Sequence, residues 1–485
     1  MQRVKAGRYG QALALFYAGF NYIWGFGATV KSLIPYINYV TITFGQSNGK
    51  WGIKVLKTMG KVRLLSIIVL CAIIAFISLT TSTQQAGAVG YNDRPSTENS
   101  LGLQVKSAIL IEFETGQVLF EVNPDESLPI ASMTKLMTEY IVMNEIGNGR
   151  LNWDQVITVT PEAADTHPSE SQIYLAAGDQ HTVEELYIAM AVGSANDATK
   201  ALAIAVEGSI QAFVDRMNET AEQMGLTSAV FTSVTGLEDT TMMSARDVVT
   251  LARNILLEYP DFLKYSGLQE YKFRERDTAP MINFNYMLGA NVNKSGLKHL
   301  AYEGVDGLKT GFISAAGYNF AGTVMRDGTR YISVVMDTRS KDARFLETAA
   351  LYNYAFATFE KQTLIAPKTE IEGYETVKIK KGVKKEIPVV TSKDITVIGS
   401  KGKNAELELV SAEMLTEDQL VAPIAAGTKT GTLTYKFTDH NGQELQYQVD
   451  LITTADAEKA SWFKLFFRGI GDFFAGLFDS ILNIF

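Results

Sequence analysis

Cysteine is all but missing from this chain: one, Cys71, stands in 485 residues. It lies inside an apolar run, "LLSIIVLCAIIAFISL", and Leu70 before it, where a small residue would be needed, argues against lipid modification of the thiol. Once that run is removed, the chain has no disulfide, no cysteine–metal site and no cysteine nucleophile. Acidic residues are missing from the beginning as well. None precedes Asp93, whereas residues 1–88 carry nine Lys and Arg. From residue 89 on, 35 basic residues face 53 acidic ones, a charge of -18 within an overall -9. So acidic a body is a poor partner for nucleic acid. Repeats and long low-complexity segments are absent too.

The change of charge coincides with residues 59–88. A short basic start ("MGKVR"), a sixteen-residue apolar run and a polar stretch ending in Ala86-Gly-Ala88 have the three parts of a secretory signal peptide. The run is short for a spanning helix. Residues 1–58 precede this otherwise complete signal and are basic and aromatic-rich. They are expected to be an extension upstream of a start at Met59, with an additional membrane segment as the alternative.

Behind the signal, "YNDRPSTENS" is a polar linker. "SAILIEFETGQVLFEVN" alternates apolar and polar residues on both sides of "ETGQ" and predicts a β-hairpin. A helix is expected from near Ser132. Residues 182–207 hold two helical stretches broken at Gly193-Ser-Ala-Asn196, and further helices are expected around 209–225, 244–258 and 341–359. Strands are expected near 307–313, 318–326 and 330–337. Strands, then helices, then strands predict one α/β domain over 101–360. From 364 to 452 the texture becomes short alternating strands, with a hairpin turning at Asn441-Gly442. This is a small all-β module with no metal-ligand spacing.

Three motifs in the α/β domain carry chemistry. Ser132-Met-Thr-Lys135 puts a hydroxyl and an amine on one helical face. The spacing alone means little, because Ser-x-x-Lys also occurs at Ser47, Ser295, Ser400 and Ser461. Ser194-Ala-Asn196 sits at the break between two helices. Lys309-Thr310-Gly311 sits on a strand, and a second Lys-Thr-Gly at 429–431 lies in the β module. The ordered set, rather than any member, is what carries the signal.

In that order the chain resembles the penicillin-binding proteins and active-site-serine β-lactamases. Through "ASMTKLMT", "GSANDA", "VDGLKTG" and "AAGYNFAGT" it resembles the secreted serine D-alanyl-D-alanine carboxypeptidases, the low-molecular-mass penicillin-binding proteins. The resemblance covers residues 101–360 and, more loosely, the β module and the end of the chain. It implies an α/β domain of the β-lactamase/transpeptidase type followed by a small all-β domain. It also implies release of the terminal D-alanine of peptidoglycan stem peptides through an acyl-serine, covalent binding of β-lactams, and no metal or cofactor. Ser132 would be the nucleophile, Lys135 its base and Ser194 the proton relay. Asn196 would hold the substrate amide, and Lys309 and Thr310 the C-terminal carboxylate. Gly311 would let substrate backbone approach the strand, and the backbone N–H groups of Ser132 and Phe312 would form the oxyanion hole.

Two departures stand out: Phe312 follows the Lys-Thr-Gly where many relatives have His, and "TGLEDTTMMSARD" lacks a His that relatives often carry. A β-lactamase is the rival enzyme, but no Glu-x-x-Leu-Asn string exists. A non-catalytic cell-wall-binding or penicillin-sensing protein is the rival of another class.

The last stretch, residues 459–485, is expected to be an amphipathic helix. Ser461, Lys464, Arg468, Asp472, Asp479 and Asn483 fall in one arc, and Phe463, Phe466, Phe467, Ile470, Phe473, Phe474, Leu477, Phe478 and Ile481 occupy the opposite face. Carrying those four charges through hydrocarbon would cost about 2.5–3.5 kcal/mol each near the centre. A helix lying in the interface, on the outer face of the cytoplasmic membrane, avoids that cost.

Overall fold

A computed structural model describes residues 42–47, 50–55 and 99–471. The expected signal peptide, most of the upstream extension and residues 472–485 lie outside the described residues. The chain forms two units, Met1–Asp93 and Arg94–Phe485. In the first, strands Ile42–Ser47 and Lys50–Val55 pair antiparallel.

The second unit begins with the expected hairpin, β1 (Ser107–Glu112) and β2 (Val118–Val122). Its helical middle contains α1 (Lys135–Gly147), α2 (Val183–Gly193), α3 (Asn196–Glu207), α4 (Ile210–Gln223) and α5 (Ala245–Glu258). Strands β3 (Val305–Ile313), β4 (Gly317–Arg326) and β5 (Thr329–Thr338) follow, then α6 (Ala343–Thr358). All five strands join one antiparallel sheet in the order β3-β4-β5-β1-β2. The first hairpin therefore completes a sheet whose other strands come some two hundred residues later.

The period of two along each strand explains how both faces are covered. On β1, Ile109 and Ile111 face a core shared with Leu136, Met137 and Ile141 of α1 and with Val248, Leu251 and Ile255 of α5. Ala108 and Leu110 face the other way, against Phe345, Leu351 and Tyr352 of α6. All six residues of β1 are buried, which is the pattern of a strand covered by helices on both sides.

Local signals fix where the helices begin. Thr182 caps α2 by accepting from the Glu185 N–H at 3.2 Å, while the Glu185 carboxylate accepts from the Thr182 N–H at 2.9 Å, a complete capping box. Ser209 and Ser244 cap α4 and α5 through their hydroxyls.

The β module begins at Phe359, earlier than the change of texture at 364 implies. Strand β6 (Phe359–Ile365) runs straight on from α6, and its pairing is with β9 (Ile395–Ser400). A second five-stranded sheet contains β7 (Thr376–Lys378), β8 (Glu386–Thr391), β10 (Glu408–Met414), β11 (Lys429–Thr438) and β12 (Glu444–Thr453). Its core is Ile387, Val389, Val397, Leu433, Phe437, Val449 and Leu451.

Polar contacts join the module to the sheet of the α/β part. The Gln117 side chain donates to the Ile398 carbonyl at 3.1 Å and accepts from the Ile398 N–H at 3.3 Å. His440 Nε2 lies 2.9 Å from the Leu119 carbonyl oxygen. Residues 462–471 are helical, and among the described residues no helix is long and apolar enough to cross a membrane.

Candidate active site

Ser132 lies in a 3-10 turn, Ala131–Thr134, and Lys135 opens α1 directly behind it. The turn is pinned from two sides. Thr134 donates its hydroxyl to the Ala131 carbonyl at 2.7 Å. Gly236, at φ +76°, comes so close that a β-carbon there would lie 2.0 Å from the Ala131 carbonyl oxygen. That approach brings the loop before Gly236 over the lysine. The Lys135 ammonium donates to the Thr235 carbonyl at 3.1 Å and to the Ser132 hydroxyl at 3.2 Å. Lys135 is wholly buried, Ser132 only half-buried.

The break between α2 and α3 supplies the second pair. Ser194 ends α2 in a left-handed conformation, at φ 53° and ψ 30°, and Ala195 is extended. The chain therefore turns sharply enough for both Ser194 and Asn196 to enter the site. The next residue, Asp197, is buried and fixes the neighbouring loop. Its carboxylate accepts from the Ile173 N–H at 3.1 Å and the Leu175 N–H at 3.0 Å. Held in this way, the loop brings Glu170 to Asn196, whose Nδ2 donates to the carboxylate at 2.7 Å. Asn196 Oδ1 is buried and has no hydrogen-bond partner among the described residues.

Edge strand β3 brings in the third motif. Lys309, 4% exposed, donates to the Ser194 hydroxyl at 2.9 Å and to the Thr310 carbonyl at 3.2 Å. Gly311 has a packing reason besides the expected approach of substrate. A β-carbon there would sit 2.5 Å from the Ile130 carbonyl oxygen and 3.2 Å from the Met133 nitrogen. Glycine is required there because β3 packs directly on the turn that carries Ser132. Phe312 is exposed and stacks on Tyr318, ring centroids 4.2 Å apart.

Electrostatics divides the two amines. Burial holds the Lys135 ammonium well below the usual lysine range, and the charge of Lys309 lowers it further. Burial also lowers Lys309, against the pull of Glu139, while Arg344 on α6 adds to the lowering. Arg344 is itself buried, reaches the Gly311 carbonyl at 3.4 Å, and is brought down to about 10 by burial. A neutral Lys135 can take a proton from Ser132.

The structure thus brings Ser132, Lys135, Ser194, Asn196, Lys309, Thr310 and Gly311 to one place, with Phe312 at its edge. The duplicate motif is elsewhere: Lys429 is exposed on β11 and paired with Asp450 at 2.7 Å. Ser295 and Ser461 are exposed, and Ser400 lies on β9. Thr235, Glu139, Glu170 and Arg344 escaped the sequence reading. The partners of Thr235 and Arg344 are set by tertiary approach, and no spacing announces them. Glu139 alone had a signal, its position one helical turn beyond Lys135.

Comparison with known proteins gives the family. The D-alanyl-D-alanine carboxypeptidase family matches residues 94–340, and the C-terminal domain of penicillin-binding protein 5 matches residues 359–459. The chain is 31% identical over 377 residues to D-alanyl-D-alanine carboxypeptidase DacF of Bacillus subtilis, covering 77% of this chain and 91% of the relative. DacC of Escherichia coli is 31% identical over 76% of this chain and 88% of its own length. Among solved structures, PBP3 of Streptococcus pneumoniae superposes with a TM-score of 0.63 at 28% identity, covering 73% of this chain and all of that one. Penicillin-binding protein 5 of Haemophilus influenzae gives 0.59 at 28% identity, over 74% of this chain and 98% of the other.

The α/β domain, its serine–lysine site and the trailing β module therefore define a low-molecular-mass penicillin-binding protein. The chain belongs to the D-alanyl-D-alanine carboxypeptidase family.

Proposed function

We propose that this carboxypeptidase removes the terminal D-alanine of peptidoglycan stem peptides by acyl transfer to Ser132. The observation that carries the residue assignment is the buried Lys135 amine 3.2 Å from the Ser132 hydroxyl. Neutral Lys135 accepts the hydroxyl proton as Ser132 Oγ attacks the carbonyl between the two D-alanines. Backbone N–H groups of Ser132 and Phe312 receive the oxyanion.

Because Lys309 donates to Ser194 Oγ, the hydroxyl hydrogen of Ser194 is free to pass to the leaving amine; Ser194 Oγ is re-protonated by the proton that Lys135 took from Ser132, D-alanine departs, and Lys135 is neutral again to activate the water. Water then cleaves the ester and regenerates Ser132. Lys309 and Thr310 hold the terminal carboxylate, with Arg344 behind Gly311 adding positive charge. Asn196, its Nδ2 engaged by Glu170, keeps Oδ1 to accept an amide N–H of the substrate. A β-lactam acylates the same serine.

The domain limits drawn from the sequence, 59–88 for the signal, 101–360 for the enzyme, 364–452 for the module and 459–485 for the anchor, belong to the same proposal, with the module's start moved to Phe359. The enzyme is exported and held on the outer face of the cytoplasmic membrane by its last helix. Supporting this, Trp462, Phe463 and Phe467 are 69%, 68% and 66% exposed. Arg468, on the opposite face, donates to the carbonyls of Gly382 and Val383 at 3.0 and 3.2 Å. The aromatic face is thus turned away from the module and is free for lipid.

Ser132→Ala tests the assignment. It should abolish both D-alanine release and covalent labelling by a fluorescent penicillin, while replacing Ser295, Ser400 or Ser461 leaves both intact. A fully labelled Ser132→Ala protein would refute it.

A further inference from the structure

The loop over residues 165–179 belongs to none of the three motifs, yet it is fastened to the site at several points. The Asn196 N–H donates to the Ser171 carbonyl at 2.7 Å, and the Asp197 carboxylate takes the N–H groups of Ile173 and Leu175. From the hairpin that follows α5, the Arg274 guanidinium donates to the carbonyls of Ile173 and Tyr174 at 2.7 and 3.3 Å. A carboxylate and a guanidinium thus grip one short backbone segment. Tyr174 within it is held at φ 55°, an uncommon conformation for so bulky a residue.

Glu170, half-buried, is the part of this loop that touches a side chain of the site. Its Oε1 accepts from the His167 N–H at 3.2 Å, which leaves Oε2 to accept from Asn196 Nδ2 at 2.7 Å. The chemistry of that contact is one-sided. A primary amide has a donor end and an acceptor end of nearly the same shape, whereas a carboxylate only accepts. Glu170 therefore favours Nδ2 and repels Oδ1. The acceptor end of the amide is turned away from the loop, buried and without a partner among the described residues. A buried carbonyl in that state is costly until a donor reaches it.

We propose that Glu170 is a positioning residue that fixes which end of the Asn196 amide meets the substrate, and so makes the enzyme select an acyl donor with an N–H on the residue under attack. The carbonyl attacked belongs to the first of two D-alanines. The amide N–H of that same residue stays with the acyl group when the second D-alanine leaves, so it is a donor present throughout the reaction. An unpinned asparagine could turn round and serve an acceptor equally well. The inference rests on the placing of Asn196 beside that amide, and it adds the reason for the choice of end.

Its test is D-alanine release by the full-length protein from two peptides. One ends in D-Ala-D-Ala; in the other the first D-alanine is replaced by D-lactate, so that an ester oxygen stands where the N–H was. Released D-alanine reports cleavage of the terminal bond alone in either peptide. The wild-type protein should favour the N–H substrate by about tenfold or more in kcat/KM, the weight of a hydrogen bond together with a carbonyl left facing an oxygen. In Glu170→Gln the side chain keeps its size but offers either end to Asn196. The preference should then fall to about two- to threefold, through slower turnover of the N–H substrate. Asn196→Ala should remove the preference, and Glu170→Gln added to it should do nothing more. Glu170→Ala serves in the same way if the Gln variant does not fold. No preference in the wild type, a preference unmoved in Glu170→Gln, equal losses on both peptides, or a further loss in the Asn196→Ala background would overturn the inference and leave the nucleophile assignment intact. A wild-type protein that releases no D-alanine from either peptide would instead remove the reading on which it depends.

Discussion

Replacing Lys309 by Ala, set against the same change at Lys429, is a comparison the duplicated Lys-Thr-Gly makes possible within one protein. Lys309 is 4% exposed and donates to the Ser194 hydroxyl at 2.9 Å, so its ammonium already points into the site. A hydrogen bond to a charged group contributes about 1.5–3 kcal/mol. Here the same ammonium also orients the relay serine, so the loss of transition-state stabilisation should be about 2–4 kcal/mol, or tens- to several-hundred-fold in kcat/KM. Lys429 is an exposed cross-strand partner of Asp450, and such pairs contribute about 0–1 kcal/mol. Its removal should leave turnover unchanged.

The assay is D-alanine release from a peptide ending in D-Ala-D-Ala, run beside the same peptide with its C-terminus amidated. The Lys309 variant should lose far more on the free carboxylate than on the amide, because both lose the orientation of Ser194 but only the former loses a carboxylate–ammonium contact. Thermal denaturation shows whether the variant is folded. Equal losses on the two substrates, or a larger effect at Lys429, would refute the reasoning.

Two further outcomes are expected. Gly311→Ala drives a methyl group into the Ile130 carbonyl, which should cost about 1–3 kcal/mol of stability by overpacking and slow penicillin labelling by displacing the Ser132 turn; unchanged melting and labelling would contradict the packing described. Expressed in a bacterium, the exported polypeptide should begin near Val89 by mass spectrometry, and deleting residues 459–485 should release a soluble enzyme of unchanged activity on small peptides. A truncated protein that stays with the membrane after signal cleavage would count against the last helix as anchor.

Much of the architecture could be read from residue patterns. The alternation in "SAILIEFETGQVLFEVN" gave β1 and β2, and the break at Gly193-Ser-Ala-Asn196 gave the junction of α2 and α3. Strand-end residues such as Phe359 did not separate the module from the helix before it, because chain direction, not composition, changes there. At the site, the gathering of Ser132, Lys135, Ser194 and Lys309 was legible because three short motifs came in a fixed order. Thr235 was not legible, since a backbone carbonyl carries no side-chain signature and lies a hundred residues from the lysine it faces. Gly311 was seen, but its close approach to Ile130 was not, because a sequence shows where glycine stands and not which atom crowds it.

The strand order β3-β4-β5-β1-β2 also sets a schedule for the making of the enzyme. β1 pairs with β5, the last of the five strands to leave the ribosome, so until Thr338 exists the opening hairpin has only itself to pair with. An isolated two-stranded hairpin is marginal in water, and contacts of such long range are slow to form. The serine's own turn waits on the same event, since Gly311 of β3 is what it packs against. A nascent chain therefore carries Ser132 well before the strand on which its turn packs. The site assembles with the closing of the sheet, which needs nearly the whole of the α/β part.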